Sequence, residues 1–165
     1  MGNRATVVFT DGKDQFSPAV YLHWNGGPES VYGYLEELNR RKVRADQDYE
    51  CARFIQLIGE MFDEESVNGL SLGVTNGPTS DKPVDLDKIY TDHGDNGLYL
   101  VNRTNGKMTV RRFLEQSNGK GDWSFKEMDS ADVDRERDEA EKSDYRADFR
   151  EFYEKLTAGK KIEAY

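Results

Sequence analysis

The stretch that most constrains the fold covers residues 20–38, which read VYLHWNGGPESVYGYLEEL. Up to Trp24 the chain has the two-residue alternation of a strand with two different faces. After Asn25-Gly26-Gly27, Pro28 suits the first turn of a helix because its missing N–H is not needed there. Apolar residues then recur at i, i+4 and i+7, which is one face of a helix. The stretch therefore predicts a strand, a tight turn and a helix over residues 28–42.

The turn between this strand and helix is a candidate anion site. Free N–H groups at the start of a helix attract phosphate or carboxylate groups. The alternative is a tight connection that needs glycine only for its geometry, since neither a P-loop lysine nor a full GxGxxG is present. If the turn binds an anion, the chain is a small enzyme or ligand-binding domain, with His23 and His93 converging on one pocket. The candidate ligand-binding residues are His23, Asn25, Gly26, Gly27 and Ser30.

Composition points to one domain with a real core. The chain has 165 residues, of which 36% are hydrophobic and 33% charged, and this length suits a single domain. No segment has the apolar length of a membrane span or the pattern of a signal peptide. The single Cys51 cannot form an intramolecular disulfide, which agrees with a reducing compartment. We therefore expect a cytoplasmic protein that binds no membrane and no cofactor.

The net charge of −9 is concentrated near the C-terminus. Residues 127–154 contain 12 acidic and 5 basic side chains, a net charge of −7, which leaves about −2 for the rest of the chain. Such a segment repels a phosphate backbone and argues against direct binding of nucleic acid. It suits a protein partner with a basic surface, including one that itself binds nucleic acid.

The order of elements predicts an α+β fold. Its mostly antiparallel sheet is expected to combine an N-terminal hairpin with a C-terminal meander, because Asn-Gly pairs favour hairpin turns. Helices 28–42 and 46–62 are expected on one face, with Cys51 in the core. The expected divisions are an α+β domain over residues 1–128, an acidic solvated segment over 129–142, and an amphipathic helix over 143–158. The expected strands cover residues 5–10, 17–24, 70–75 and three segments within 98–128.

The two C-terminal segments differ in apolar content. Residues 129–142 contain only Val133 and two alanines as apolar side chains, so this segment is expected to project into solvent. It either contacts a basic partner or acts only as a solubilising linker. The second segment is expected to pack on the domain or on a partner through Tyr145, Phe149, Phe152 and Leu156. The candidate partner-binding residues are Asp132, Asp134, Glu136, Asp138, Glu139, Glu141, Tyr145 and Phe149.

A short polar run offers a candidate metal site. Asp92, His93 and Asp95 carry metal-ligand side chains, with His23 as a distant fourth ligand. No EF-hand spacing is present, and such a run also suits a turn whose side chains bond to their own backbone. Ser30 lacks the GxSxG context of a hydrolase nucleophile, so no catalytic residue is assigned.

Taken as a whole, the chain resembles the small acidic proteins encoded by bacteriophages and other bacterial mobile elements. The resemblance rests on size, the single cysteine, the lack of a catalytic motif and the acidic block of residues 129–154. Many such proteins, including anti-CRISPR proteins, bind a host defence protein. The resemblance implies an inhibitor or adaptor that acts by occlusion or by mimicry of nucleic acid, and it assigns no individual residue.

Overall fold

A computed structural model describes residues 3–13, 15–61, 70–73, 94–117, 119–120 and 123–161. Short 3-10 turns at Gly94–Asn96 and Thr104–Gly106 flank the fourth strand. The strands are β1 (Ala5–Phe9), β2 (Ala19–Leu22), β3 (Leu70–Gly73), β4 (Leu98–Asn102), β5 (Thr109–Ser117) and β6 (Trp123–Glu127). The helices are α1 (Pro28–Arg40), α2 (Gln47–Met61), α3 (Ser130–Glu141) and α4 (Asp144–Thr157).

The described strands form one mixed sheet in the order β3-β2-β1-β4-β5-β6. Of the pairings between described strands, the central one, β1 with β4, is parallel and the others are antiparallel. The predicted α+β class with a mostly antiparallel sheet is therefore confirmed. The N-terminal hairpin of β1 and β2 joins the C-terminal strands through the parallel pair, which brings residues 6–9 beside residues 98–101.

The main core lies between one face of the sheet and the helices. Alternate residues of β1, β2 and β4 point to this face and meet apolar side chains from α1, α2, α3 and α4. The opposite face carries a smaller buried cluster. This division follows from the two-residue side-chain period of a strand. The smaller cluster consists of Val8, Ala19, Leu98, Leu100 and Phe113.

The Asn-Gly pairs occupy different kinds of turn. Gly97 has φ 62° and follows the 3-10 turn that leads into β4. A Cβ there would lie 2.1 Å from the carbonyl oxygen of Phe113, so the close approach of β5 requires glycine. Gly106, at φ 73°, ends the 3-10 turn between β4 and β5. Asn118 lies outside the described residues.

The acidic segment forms a docked helix, which corrects the prediction that it projects into solvent. Asp129 caps α3 by accepting a hydrogen bond of 2.9 Å from the Ala131 N–H. Val133 and Ala140 are buried, and Glu136 between them reaches Arg112 of β5. These three residues share one helical stripe, so even a strongly polar helix has a face that packs.

The last helix packs closely against α1. Gly33 makes this approach possible, because a Cβ at this position would lie 2.8 Å from the Phe149 ring. Phe149 and Tyr153 are buried together with Arg146, whereas Tyr145 is exposed. The packed face therefore differs from the predicted stripe. Two members of that stripe, Phe152 and Leu156, are only partly buried.

A buried ion pair joins α2 to the end of β4. Arg103 donates to Glu50 over 2.7 Å, and the Glu50 side chain is 2% exposed. Arg103 also donates to the Asn39 side chain and to the Val43 carbonyl. Burial raises the pKa of Glu50 to about 7, although Arg103 acts in the opposite direction.

The raised pKa of Glu50 predicts a pH-dependent stability. Because the folded chain holds this proton more tightly than the unfolded chain, its contribution is complete below the unfolded pKa and is lost as pH rises through the folded one. The free energy of unfolding of wild type minus that of Glu50→Gln should fall by about 1–3 kcal/mol between about pH 5 and about pH 8. Urea denaturation of both proteins at both pH values measures this difference. A difference that stays constant or rises with pH would contradict this prediction.

Candidate functional site

The helical layer carries a groove over α1, between α3 and α4, which we call the α1–α3–α4 groove. Its volume is about 650 Å³. Tyr32, Glu36 and Asn39 line it from α1, at the i, i+4, i+7 spacing of one helical stripe. The remaining lining residues are Met108, Asp134, Arg137, Asp138, Glu141, Arg146 and Arg150.

The α3 side of the groove is mainly acidic. Asp134, Asp138 and Glu141 recur at four- and three-residue intervals, which places them on one face of the helix. Arg137 lies on the same side. This face differs from the buried stripe that holds α3 against the domain, so separate faces of one helix serve docking and the exposure of charge.

The α4 side is basic, and its charges are paired with carboxylates. Arg150 donates to Glu36 over 2.9 Å and 3.2 Å, and it also contacts Glu141. The buried Arg146 contacts Glu36 as well, and it lies 3.7 Å from Glu141. The hydrogen bond from Arg150 lowers the pKa of Glu141. Two guanidinium groups and two carboxylates therefore balance one another at this end of the groove.

Away from that network, the acidic side retains unpaired carboxylates. Among the ion pairs of the described residues, none includes Asp134, Asp138 or Glu139. All three side chains are exposed. Within α3, Asp132 pairs with Arg135, while Glu136 and Glu141 pair with arginines of other elements. Glu139 is not one of the residues that line the groove, but Asp134 and Asp138 still outnumber Arg137 there, so the α3 side of the groove is negative.

The orientation of α3 depends on Arg112, whose side chain is 1% exposed. Its guanidinium donates to both oxygens of Glu136, over 2.9 Å and 3.1 Å. It also donates to the carbonyl oxygens of Asn96 and Leu98 and lies 3.5 Å from the centroid of the Tyr99 ring. A bidentate pair of this kind restricts direction as well as distance.

Tyr32 supports the same contact from α1. Its hydroxyl donates to Glu136 over 3.2 Å. Burial, followed by the nearby Glu136 carboxylate, raises the pKa of Tyr32, so the hydroxyl stays protonated and remains a donor. The Glu136 carboxylate is thereby held by Arg112 of β5 and by Tyr32 of α1.

The predicted anion site has a different environment from the groove. The N–H of Gly26 already donates to the Asn3 carbonyl over 2.7 Å. A Cβ on Gly27 would lie 2.6 Å from the Asn3 amide nitrogen and 2.7 Å from a Glu29 carboxylate oxygen. Ser30 is buried. A side-chain carboxylate of the helix itself thus lies at the start of α1, and these contacts lend no support to the anion hypothesis.

The other two candidate residues of the anion site, His23 and Asn25, differ in their surroundings. His23 is half-buried, with Nδ1 3.4 Å from the Tyr21 hydroxyl and its ring edge-on to Trp24. Asn25 has φ 59°, a left-handed conformation that asparagine tolerates better than most residues. The proposed convergence with His93 falls outside the described residues.

The described part of the chain contains two of the predicted metal ligands, the distant His23 and, from the polar run itself, Asp95. Its carboxylate lies 3.8 Å from Arg4 and is half exposed. Within the described ranges, no group of three or more His, Cys, Asp or Glu side chains is arranged to hold a metal ion. Asp92 and His93 are outside those ranges, so the metal site remains a sequence-based prediction.

Comparison with known proteins provides no assignment. No family model matches the chain, and neither a curated protein nor a solved structure matches it. In the described part of the chain, no helix is both long enough and apolar enough to cross a membrane.

Sequence reasoning missed the arginines that organise the groove. Arg112 follows Arg111 in a strand, and adjacent strand residues point to opposite faces, so one of the two had to face the helices. Arg146 and Arg150 are separated by one helical turn, which was a signal that they share a face. Their partner Glu36 gave no signal, because its role depends on how α1 and α4 pack.

Proposed function

We propose that this chain is a protein-binding inhibitor or adaptor whose α3 face contacts a basic surface of a protein partner in the bacterial cytoplasm. The observation that carries the proposal is the pair of unpaired carboxylates, Asp134 and Asp138, on a helix that Arg112 and Glu136 hold in place. The partner's arginines or lysines supply the complementary charge.

A fixed helix suits this role better than a mobile acidic tail. Ordering side chains and loops on binding costs free energy, and a contact face that is already held avoids part of that cost. Complementary surface charge also accelerates encounter and excludes partners of the same charge. Both effects require carboxylates that are free of competing partners, and among the described residues no ion pair includes Asp134 or Asp138.

The finer proposal concerns the identity of the partner. The resemblance to phage and mobile-element proteins suggests a host defence protein whose basic surface normally holds nucleic acid. Binding would then inhibit that protein by occlusion or by mimicry of the phosphate backbone. Competition with the partner's own nucleic acid distinguishes this mode from binding at a remote surface.

A comparative pull-down from bacterial lysate tests the proposal. Asp134→Asn with Asp138→Asn removes two charges from the groove and changes side-chain volume little. The matched control, Asp48→Asn with Glu115→Gln, removes two exposed charges from α2 and β5. We expect a specific partner to be lost with the first pair and retained with the second. A partner captured equally by all three proteins would contradict the assigned surface.

Salt dependence provides a second test on the purified partner. Surface charges are screened beyond roughly 8–10 Å at moderate ionic strength. The association rate constant of wild type should therefore fall as salt rises, and it should fall less steeply for the Asp134→Asn, Asp138→Asn variant. Surface plasmon resonance measures both slopes, and equal slopes would contradict an electrostatic role for these residues.

A further inference from the structure

Two exposed aromatic side chains belong to parts of the fold that are in contact. Among the described residues, Trp24 and Tyr145 are the exposed large hydrophobic side chains, at 45% and 41% exposure. Tyr145 donates a hydrogen bond of 3.3 Å to the side chain of Asn25, although the two residues are 120 positions apart in the chain. The fold therefore brings Tyr145 next to the turn that carries Trp24.

Both aromatic rings are held by neighbours. The His23 ring lies 4.9 Å from Trp24 at an interplanar angle of 80°. Tyr145 packs against the buried Phe149 at 5.9 Å. Rigid, partly exposed Trp and Tyr side chains are the residue types that most often dominate binding energy at protein interfaces. We call Trp24 and Tyr145 the aromatic patch.

On α4, the exposed charges that flank Tyr145 within one turn are negative. Asp144 precedes Tyr145, and Asp148 follows it by one helical turn. Both carboxylates are exposed, and neither takes part in an ion pair with another described residue. A cation attracted by these carboxylates can also stack on an indole or phenol ring, which favours cations electrostatically.

We infer that the aromatic patch is the docking point for an arginine or lysine side chain of the protein partner. This inference rests on the proposed function, because it concerns the same basic partner, and it adds a second contact to the one made by the groove. Arg146, which lines the groove, directly follows Tyr145, so the patch and the groove adjoin on α4.

Trp24 can report on this contact directly. In a Trp123→Phe variant, Trp24 is the remaining tryptophan. The probes are a peptide of arginine-glycine repeats and the same peptide with citrulline, the neutral isostere of arginine, at every arginine. We expect the arginine peptide to change Trp24 fluorescence to saturation and the citrulline peptide to leave it unchanged. The double variant Asp144→Asn, Asp148→Asn should raise the peptide concentration at the midpoint of this titration by about fivefold, and Tyr145→Ala alone should do the same.

A variant of the groove separates this inference from the proposed function. Asp134→Asn with Asp138→Asn should weaken total binding in calorimetry while the Trp24 response persists. If the arginine peptide binds in calorimetry but Trp24 fluorescence does not change, the docking role of the aromatic patch is contradicted, whereas the proposed role of the groove is not. An equal response to citrulline also overturns the inference, because the anchor is then not cationic. Should Trp123→Phe fail to fold, the indole proton resonance of Trp24 in wild type, assigned with Trp24→Phe, gives the same readout.

Discussion

Replacing Arg112 by alanine should lower the free energy of unfolding by about 3–5 kcal/mol, the range for breaking a buried ion pair by removing one partner. The substitution removes four hydrogen bonds, two to Glu136 and two to the carbonyl groups of Asn96 and Leu98. The Glu136 carboxylate keeps the Tyr32 hydroxyl as a donor, but it loses its counter-charge, and the two carbonyl oxygens lose the guanidinium in a largely buried site. Since domains are stable by only about 5–15 kcal/mol, this is a large fraction of the total.

The neighbouring arginine provides the matched control for that prediction. Arg111 also makes a bidentate pair, with Glu127, but its side chain is 56% exposed. Exposed pairs contribute about 0–1 kcal/mol, so Arg111→Ala should have a small effect. Urea denaturation of both variants measures the two losses. Similar losses for the two substitutions would show that Arg112 does not hold α3 as described.

Replacing Phe149 by alanine should cost a comparable amount, about 3–5 kcal/mol for truncating a buried phenylalanine. Its ring is 1% exposed and lies 4.8 Å from Tyr34 and 5.4 Å from Tyr153. The cavity left behind would separate α4 from α1 at the point where Gly33 allows their close approach. The basic side of the groove, carried by α4, should loosen with it.

Phe152 is the control for the packing of α4, because it is the same residue type on the same helix and only partly buried. Thermal unfolding of Phe152→Ala should show a clearly smaller decrease in midpoint than Phe149→Ala. If the two variants lose equal stability, the packed face of α4 has been assigned to the wrong stripe. A loss in Phe149→Ala below about 1 kcal/mol would contradict the burial of this ring.

Sequence patterns predicted the elements whose signals lie within a few neighbouring residues. The strand-turn-helix of residues 20–38 and the start of α1 at Pro28 follow from alternation, glycine and proline within a few residues. The parallel pairing of β1 with β4 had no local signal, because it joins segments about ninety residues apart and depends on the whole sheet.

The acidic helix shows why composition misled the prediction for the site. A count of apolar side chains placed α3 in solvent, whereas Val133, Glu136 and Ala140 form a narrow stripe that packs. The stripe includes a charged residue, and its burial is favourable only because Arg112 lies opposite. That partner belongs to a distant strand, so the sequence of the helix alone could not reveal the contact.

Hydrogen exchange of the α3 backbone tests the central claim most directly, because the proposed contact face exists only if this acidic helix is held on the domain. In the free wild-type chain, peptides from residues 130–141 should exchange slowly, with protection similar to that of α4, and Arg112→Ala should accelerate exchange in α3. Exchange in wild type at the rate of an unstructured peptide would contradict the account, because Asp134 and Asp138 would then belong to a mobile tail.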